Sequence, residues 1–210
     1  MTLEQRRDRL HQLANTLSSP LTSLLARAGV TPDVVTVAGL VLCAAAAACL
    51  AGGAVRTAGV VWLLGSALDL VDGALARRNG MAAGKGAFLD SSLDRVSEGL
   101  MLTAAVYQFA HQGMALAAAA SAYALLVSFM VSYTRARAES LGVACKGGLA
   151  TRVERVLLIS LGLLFNILAA AVAVLGVLAT ITTAQRVFHV RSALAGAEGA
   201  SGQEEGARQR

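Results

Sequence analysis

Long uncharged stretches separated by short polar ones set the rhythm of this chain. No charged residue falls between Asp33 and Arg56, between Glu98 and Arg135, or between Arg155 and Arg186. A helix needs roughly 20 mainly apolar residues to cross a hydrocarbon core, so each stretch can hold a span. The run 99–134 is too long for one helix and predicts a hairpin turning near His111 to Met114. The run 156–185 likewise predicts two helices that turn near Asn166. One helix through "GVVWLLGSALDLVDGALA" and another starting near Ala87 bring the expectation to six spans. They lie at about 33–53, 57–79, 86–110, 114–141, 150–165 and 168–190. The expected fold class is all-α and integral to the membrane.

Composition agrees. Hydrophobic residues make up 56% of the 210, mean hydropathy is +0.62 and only 15% are charged. Soluble domains carry about 25% charge. Aromatics are scarce at 4%, so the apolar mass is largely Ala, Leu, Val and Gly, small enough in part to let membrane helices approach closely. Six spans leave both termini on one side. Every Lys and Arg except Arg56 then falls on that side or in helix ends facing it. Lys/Arg-rich short loops stay cytoplasmic, so the termini are expected inside a plasma (inner) membrane. The net charge of +5 suits an anionic leaflet and anionic substrates. No basic stripe interleaves with aromatics, which argues against nucleic acid.

Residues 3–17 combine Arg6, Arg7 and Arg9 with Leu10, Leu13 and Leu17, the pattern of an amphipathic helix lying on a membrane surface. Residues 1–28 are therefore expected as a juxtamembrane helix and 29–192 as the membrane domain. No apolar core follows the arginines, so a signal peptide is not expected. The polar end, 193–210, predicts a disordered cytoplasmic tail. Cys43, Cys49 and Cys145 lack metal-ligand spacing.

The chemistry concentrates in "DLVDGALARRNGMAAGKGAFLDSSLDR". Residues three or four apart share a helix face, so Asp69 aligns with Asp72, and Asp90 with Asp94, with Glu98 one turn further. Two helices joined by a short loop can bring both pairs together. Carboxylates converging in a partly dry site repel unless cations separate them, and oxygen-only ligands favour hard divalent ions. Gly73 costs about 1 kcal/mol in a helix interior and makes sense where a ligand meets the backbone. Arg77 offers a planar fork for phosphate oxygens, and Gly86 opens the next helix. Paired metals with an arginine serve displacement at phosphorus.

Asp69-x2-Asp72-Gly73-x2-Ala76-Arg77-x8-Gly86-x3-Asp90-x3-Asp94 resembles, position by position, the motif of the CDP-alcohol phosphatidyltransferases. The resemblance implies six transmembrane helices, a homodimer in the lipid bilayer, and a cytoplasm-facing cavity with two divalent ions, Mg²⁺ or alternatively Mn²⁺. Carried over, Asp69, Asp72 and Asp90 hold one metal; Asp69, Asp90 and Asp94 hold the other. Gly73, Arg77 and the loop with Ala83 before Gly86 take the CDP part of CDP-diacylglycerol, with Thr31, Pro32, Asp33 and Val34 from "TPDV". Asp94 acts as general base for the incoming hydroxyl. Attack on the β-phosphorus releases CMP.

"TPDVVT", "SYTRARAESLG" and "GAFLDSSLDR" look most like the phosphatidylinositol phosphate synthases of that family. Their acceptor is myo-inositol phosphate, a small phosphorylated polyol, which implies a second anion site. Arg135, Arg137, Lys146, Arg152, Arg155 and Arg186 are candidates, and Lys146, Arg155 and Arg186 are taken forward. Two departures stand out: Thr151-Arg152-Val153-Glu154-Arg155 replaces a Glu-Arg-Pro-Glu-Arg run, and Ala83 replaces a hydroxyl residue. A glycerol 3-phosphate acceptor is the alternative within the family, which Asp33 and Arg95 disfavour. Membrane prenyltransferases would carry their two acidic motifs far apart. A divalent-cation transporter is the non-enzymatic alternative, yet the acids all sit at one end of the spans and no inverted repeat is seen.

Overall fold

The computed structural model describes residues 22–26, 28–78, 84–145 and 147–208, except the side chains of 70, 77, 78 and 197–208. The expected helix at 3–17 therefore lies outside the described residues, as do Ala83 and Lys146. Among the described residues, six long helices follow one another: α1 (Pro32–Ala51), α2 (Val55–Arg78), α3 (Lys85–His111), α4 (Ala115–Ser140), α5 (Arg152–Leu164) and α6 (Leu168–Arg208). Each segment expected from the hydropathy pattern corresponds to one of them. α1, α2 as far as Ala76, α4, and α6 as far as Gly196 are long and apolar enough to cross a membrane. This is a multi-pass membrane protein. α3 opens with acids in its first turns, and α5 has only 13 residues, about 20 Å at the helical rise.

One expectation needs correction. α6 runs on to Arg208, so the segment expected as a disordered tail is helical over 193–208. Polarity suggested disorder, but the stretch contains no proline and is rich in Ala and Glu, which favour a helix despite its glycines.

Tight turns close one end of the bundle. Gly53 (φ 84°) joins α1 to α2, Gly113 (φ 72°) joins α3 to α4, and Asn166 (φ 57°) joins α5 to α6. Asn tolerates the left-handed region because its short side chain can bond locally. Beside these turns lies the main core, built from Leu50, Trp62, Met101, Leu102, Leu163 and Leu175 with many alanines between them. The opposite end carries the longer links and the polar residues. Large apolar side chains such as Val41 (62% exposed) and Leu126 (59%) face outward, as lipid-facing residues do.

α1 packs on both α2 and α3, and the α1–α2 crossing is close. A Cβ on Gly65 would stand 2.8 Å from Cys43 Sγ and 3.1 Å from the Gly39 carbonyl oxygen. A Cβ on Gly39 would meet the Gly65 carbonyl oxygen at 3.2 Å and Asp69 Oδ1 at 3.4 Å. Two facing glycines let the backbones approach, the small-residue device of membrane helices. The approach brings the first turns of α1 against the acidic end of α2.

Candidate active site

Asp69 and Asp72 occupy the last turns of α2; Asp90 and Asp94 occupy the first turns of α3. Because the two helices run antiparallel, these ends meet. Asp69, Asp72 and Asp90 each present an oxygen within 4.8 Å of the others. Asp72 is 3% exposed, and its Oδ2 accepts a hydrogen bond from the Thr36 hydroxyl at 2.7 Å. Thr36 is itself buried one turn into α1, with its Oγ1 3.0 Å from the Pro32 carbonyl oxygen. Asp90 Oδ1 is buried with no hydrogen-bond partner. A buried, unpartnered carboxylate oxygen is costly, so it calls for a ligand. Three converging carboxylates with one orphaned oxygen fit a hard divalent cation.

The opposing wall comes from α5. Its start reads Thr151-x-x-Glu154, a capping-box spacing, and the Thr151 hydroxyl meets the Glu154 carboxylate. That start puts Arg152 and Arg155 in the first turn, where the helix dipole disfavours cations. Carboxylates of other helices offset the disadvantage. Arg152 ion-pairs with Asp69 Oδ2 and, at 2.5 Å, with Asp94 Oδ1. Arg155 is 4% exposed and grips Glu98 in a two-pronged pair, Nε to Oε1 at 2.6 Å and Nη2 to Oε2 at 2.8 Å. Its Nη1 donates to the Ala150 carbonyl at 3.0 Å.

α6 holds the loop that leads into α5. Thr182 Oγ1 accepts hydrogen bonds from the Leu149 and Ala150 amides, each at 3.0 Å. Arg186, 5% exposed, donates from Nε to the Gly147 carbonyl at 3.0 Å and from Nη1 to the Val131 carbonyl at 2.5 Å. Gly148 sits at φ 140° with Thr182 Cγ2 only 2.4 Å from where a Cβ would be, so a side chain there is excluded. Between these elements and α3 lies a cavity of about 530 Å³, whose lining includes Asp94, Arg95, Arg135, Arg152, Arg155 and Arg186. Its acidic edge is shared with the carboxylate cluster through Asp90 and Asp94.

The expected site residues thus divide by position. Asp69, Asp72 and Asp90 come together, and Asp94 joins them through Arg152. Gly73 follows Asp72 on α2 and Gly86 lies at the start of α3, both partly exposed beside the cluster. Arg77 is in the last turn of α2. Thr31, Pro32, Asp33 and Val34 form the start of α1, with Pro32 at its first position, where a missing amide costs nothing. Arg155 and Arg186 line the cavity but also brace the fold. Thr36 and Glu98 were not assigned to the site from sequence, and Arg152 stood there only as a candidate for the acceptor's anion site, not as a partner of the acidic cluster. Thr36 stands in the "TPDVVT" stretch that signals the family, and Glu98 continues the face of Asp90 and Asp94, so both left a trace there.

Comparison with known proteins follows the same lines. The sequence model of the CDP-alcohol phosphatidyltransferase family matches residues 29–185. A phosphatidylinositol phosphate synthase of Mycobacteroides abscessus is 36% identical, covering 84% of each chain. An archaetidylinositol phosphate synthase of Methanothermobacter thermautotrophicus is 37% identical over 75% of this chain and 82% of its own. The crystal structure of the Mycobacterium tuberculosis phosphatidylinositol phosphate synthase with CDP-DAG bound superposes with a TM-score of 0.78 at 30% identity, covering 83% of this chain and 94% of that one. The same enzyme has been solved with manganese and citrate, with a TM-score of 0.75 at 29% identity, covering 82% of this chain and 88% of that one.

Proposed function

This chain belongs to the CDP-alcohol phosphatidyltransferase family, and we propose that it transfers the phosphatidyl group of CDP-diacylglycerol to myo-inositol phosphate, giving phosphatidylinositol phosphate and CMP. The observation that carries the reading is the meeting of Asp69, Asp72 and Asp90 within 4.8 Å, beside a cavity lined by arginines. The acceptor is supported by what the two named relatives share: their lipid parts differ, whereas both names end in inositol phosphate.

In this reading Asp69, Asp72 and Asp90 hold one Mg²⁺, and Asp69, Asp90 and Asp94 hold a second. Two such ions, held there, would supply charge neutralisation of the diphosphate and polarisation of its β-phosphorus. The protein's own groups do the rest. Thr36 fixes the rotamer of Asp72. Gly73, Ala83, Gly86 and the first turn of α1 (Thr31, Pro32, Asp33 and Val34) make room for the cytidine and diphosphate, and Arg77 takes phosphate oxygens. Asp94 accepts the proton of the acceptor hydroxyl as its oxygen bonds to the β-phosphorus. The bond from that phosphorus to the bridging oxygen breaks, and CMP departs with the oxygen. A guanidinium has five N–H donors; Arg155 uses three of them on Glu98 and Ala150, so two can serve the acceptor phosphate together with Arg186 and Lys146.

All six helices are taken as spans of a domain covering 29–192, with residues 1–28 on the membrane surface. Both termini and the acidic end then face the cytoplasm across the plasma membrane, as the Lys/Arg placement favours. The active unit is taken as a homodimer, for which the outward apolar faces leave room.

The test is an acceptor panel. Purified protein with Mg²⁺ and CDP-diacylglycerol is offered inositol phosphate, inositol, glycerol 3-phosphate or serine, and CMP is measured. Release with inositol phosphate alone is expected. Release with glycerol 3-phosphate instead would reassign the acceptor, and release with none would overturn the proposal.

A further inference from the structure

Arg152 is the least expected member of this site. It opens α5 against the helix dipole, and its side chain is 35% exposed on the cavity side. Its guanidinium lies between Asp69 on α2 and Asp94 on α3, whose side chains are only 12% and 11% exposed. Those two carboxylates are also two of the three that the proposed function assigns to the second metal. A guanidinium and a divalent cation cannot both be in contact with the same pair of oxygens, because the repulsion between them is large wherever water is sparse. Arg155 and Arg186 face no such competition, since their partners are Glu98 and backbone carbonyls.

We propose that Arg152 is a displaceable counter-ion: it pairs Asp69 with Asp94 until a divalent cation takes their oxygens, and then turns into the cavity it already lines. The inference rests on the proposed metal site. Arg152 is thus a positioning residue that sets metal affinity. It lets the carboxylates pack against one another without metal, and the same pairing makes metal binding weaker than the bare carboxylates would allow. The long, partly exposed side chain has space to move, because the cavity beside it is about 530 Å³. A fixed ion pair predicts something different, namely that Arg152 stays against Asp69 and Asp94 when metal is added, so that its accessibility does not change.

The experiment uses the full chain in lipid nanodiscs and reads Mn²⁺ binding by electron paramagnetic resonance. Arg152→Gln should bind Mn²⁺ roughly tenfold more tightly than the parent, an ordinary coupling between competitors. Arg152→Lys keeps the charge and should stay near the parent value. Asp90→Asn, which removes a proposed ligand, should weaken binding. If Asp90→Asn weakens binding but Arg152→Gln does not tighten it, the counter-ion role is refuted and the metal site stands. If Asp90→Asn has no effect, the metal site is wrong and this inference falls with it. A second measurement needs no variant. Phenylglyoxal labelling of Arg152, read by mass spectrometry, should rise when Mg²⁺ is added, and unchanged labelling would refute displacement.

Discussion

Arg155 and Glu98 make a buried pair whose two roles, bracing the fold and serving a substrate, can be separated by mutation. The N–O distances of 2.6 and 2.8 Å put opposite charges in a site where the side chains are 5% and 12% exposed. At charge separations near 4 Å and an effective dielectric of about 20, the attraction is about 4 kcal/mol. Removing one partner strands the other charge and typically costs about 3–5 kcal/mol, whereas removing both leaves no charge to strand. Arg155→Ala also frees the Ala150 carbonyl, adding about 1 kcal/mol. Reversible unfolding in bicelles should therefore give about 4–6 kcal/mol for Arg155→Ala and about 3–5 kcal/mol for Glu98→Ala. The double variant should lose no more than about 3 kcal/mol, so the cycle should show several kcal/mol of coupling. Single costs that simply add, with coupling below about 0.5 kcal/mol, would refute the pair as a stabilising unit. Because the double variant folds in this argument, it also isolates the substrate role. Its KM for inositol phosphate should rise roughly tenfold, the scale of a lost charged contact, while that for CDP-diacylglycerol stays near the parent value.

Two further predictions concern the acidic cluster. Thr36→Val keeps the side-chain volume but removes the hydroxyl 2.7 Å from Asp72, a bond to a charged group worth about 1.5–3 kcal/mol. Turnover at saturating metal should fall roughly tenfold or more, by the usual conversion of 1.4 kcal/mol per decade, while Thr36→Ser stays close to the parent; equal rates for all three would show that Asp72 needs no such partner. Asp94→Asn should still bind CDP-diacylglycerol, measured with a radiolabelled lipid, yet release no CMP; normal turnover would remove Asp94 as the base.

How much of this was legible in the chain depends on the range of each interaction. The spacing of Asp69 to Asp72 and of Asp90 to Asp94 is local, and local periodicity says which side chains share a face. Charge gaps mark helices for a similar reason: one uncharged run is one or two apolar segments. The Gly39–Gly65 crossing was not readable, because nothing local says which of the chain's 21 glycines face one another. Thr36 was missed because a threonine in an apolar helix is equally content to bond back to a carbonyl four residues earlier, and its Oγ1 does lie near that of Pro32. Helix continuation past 193 was misjudged because polarity argues for solvent contact, which a helix extending out of a membrane also has.

Arginines mark the deepest limit of sequence reading here. In sequence Arg152, Arg155 and Arg186 are all cations bordering apolar stretches near an anion-binding end, and only Arg155 and Arg186 were taken forward as acceptor ligands. Their partners distinguish them. Arg186 is tied to backbone carbonyls of Gly147 and Val131, and Arg155 to a carboxylate outside the acidic cluster. Arg152 alone among these three is paired with carboxylates that a metal would claim. Two of the three are therefore braces, Arg155 holding α5 on α3 and Arg186 tying α6 to α4 and to the loop before α5, and the third stands where its charge can be exchanged for another. A helix start with one fixed and one exchangeable arginine keeps the cavity wall in place while the charge balance of the cluster changes. That division requires the Glu98 pair to survive metal binding while the Asp94 pair does not, which is the contrast that the coupling measured at Arg155 and the metal affinity measured at Arg152 set against each other.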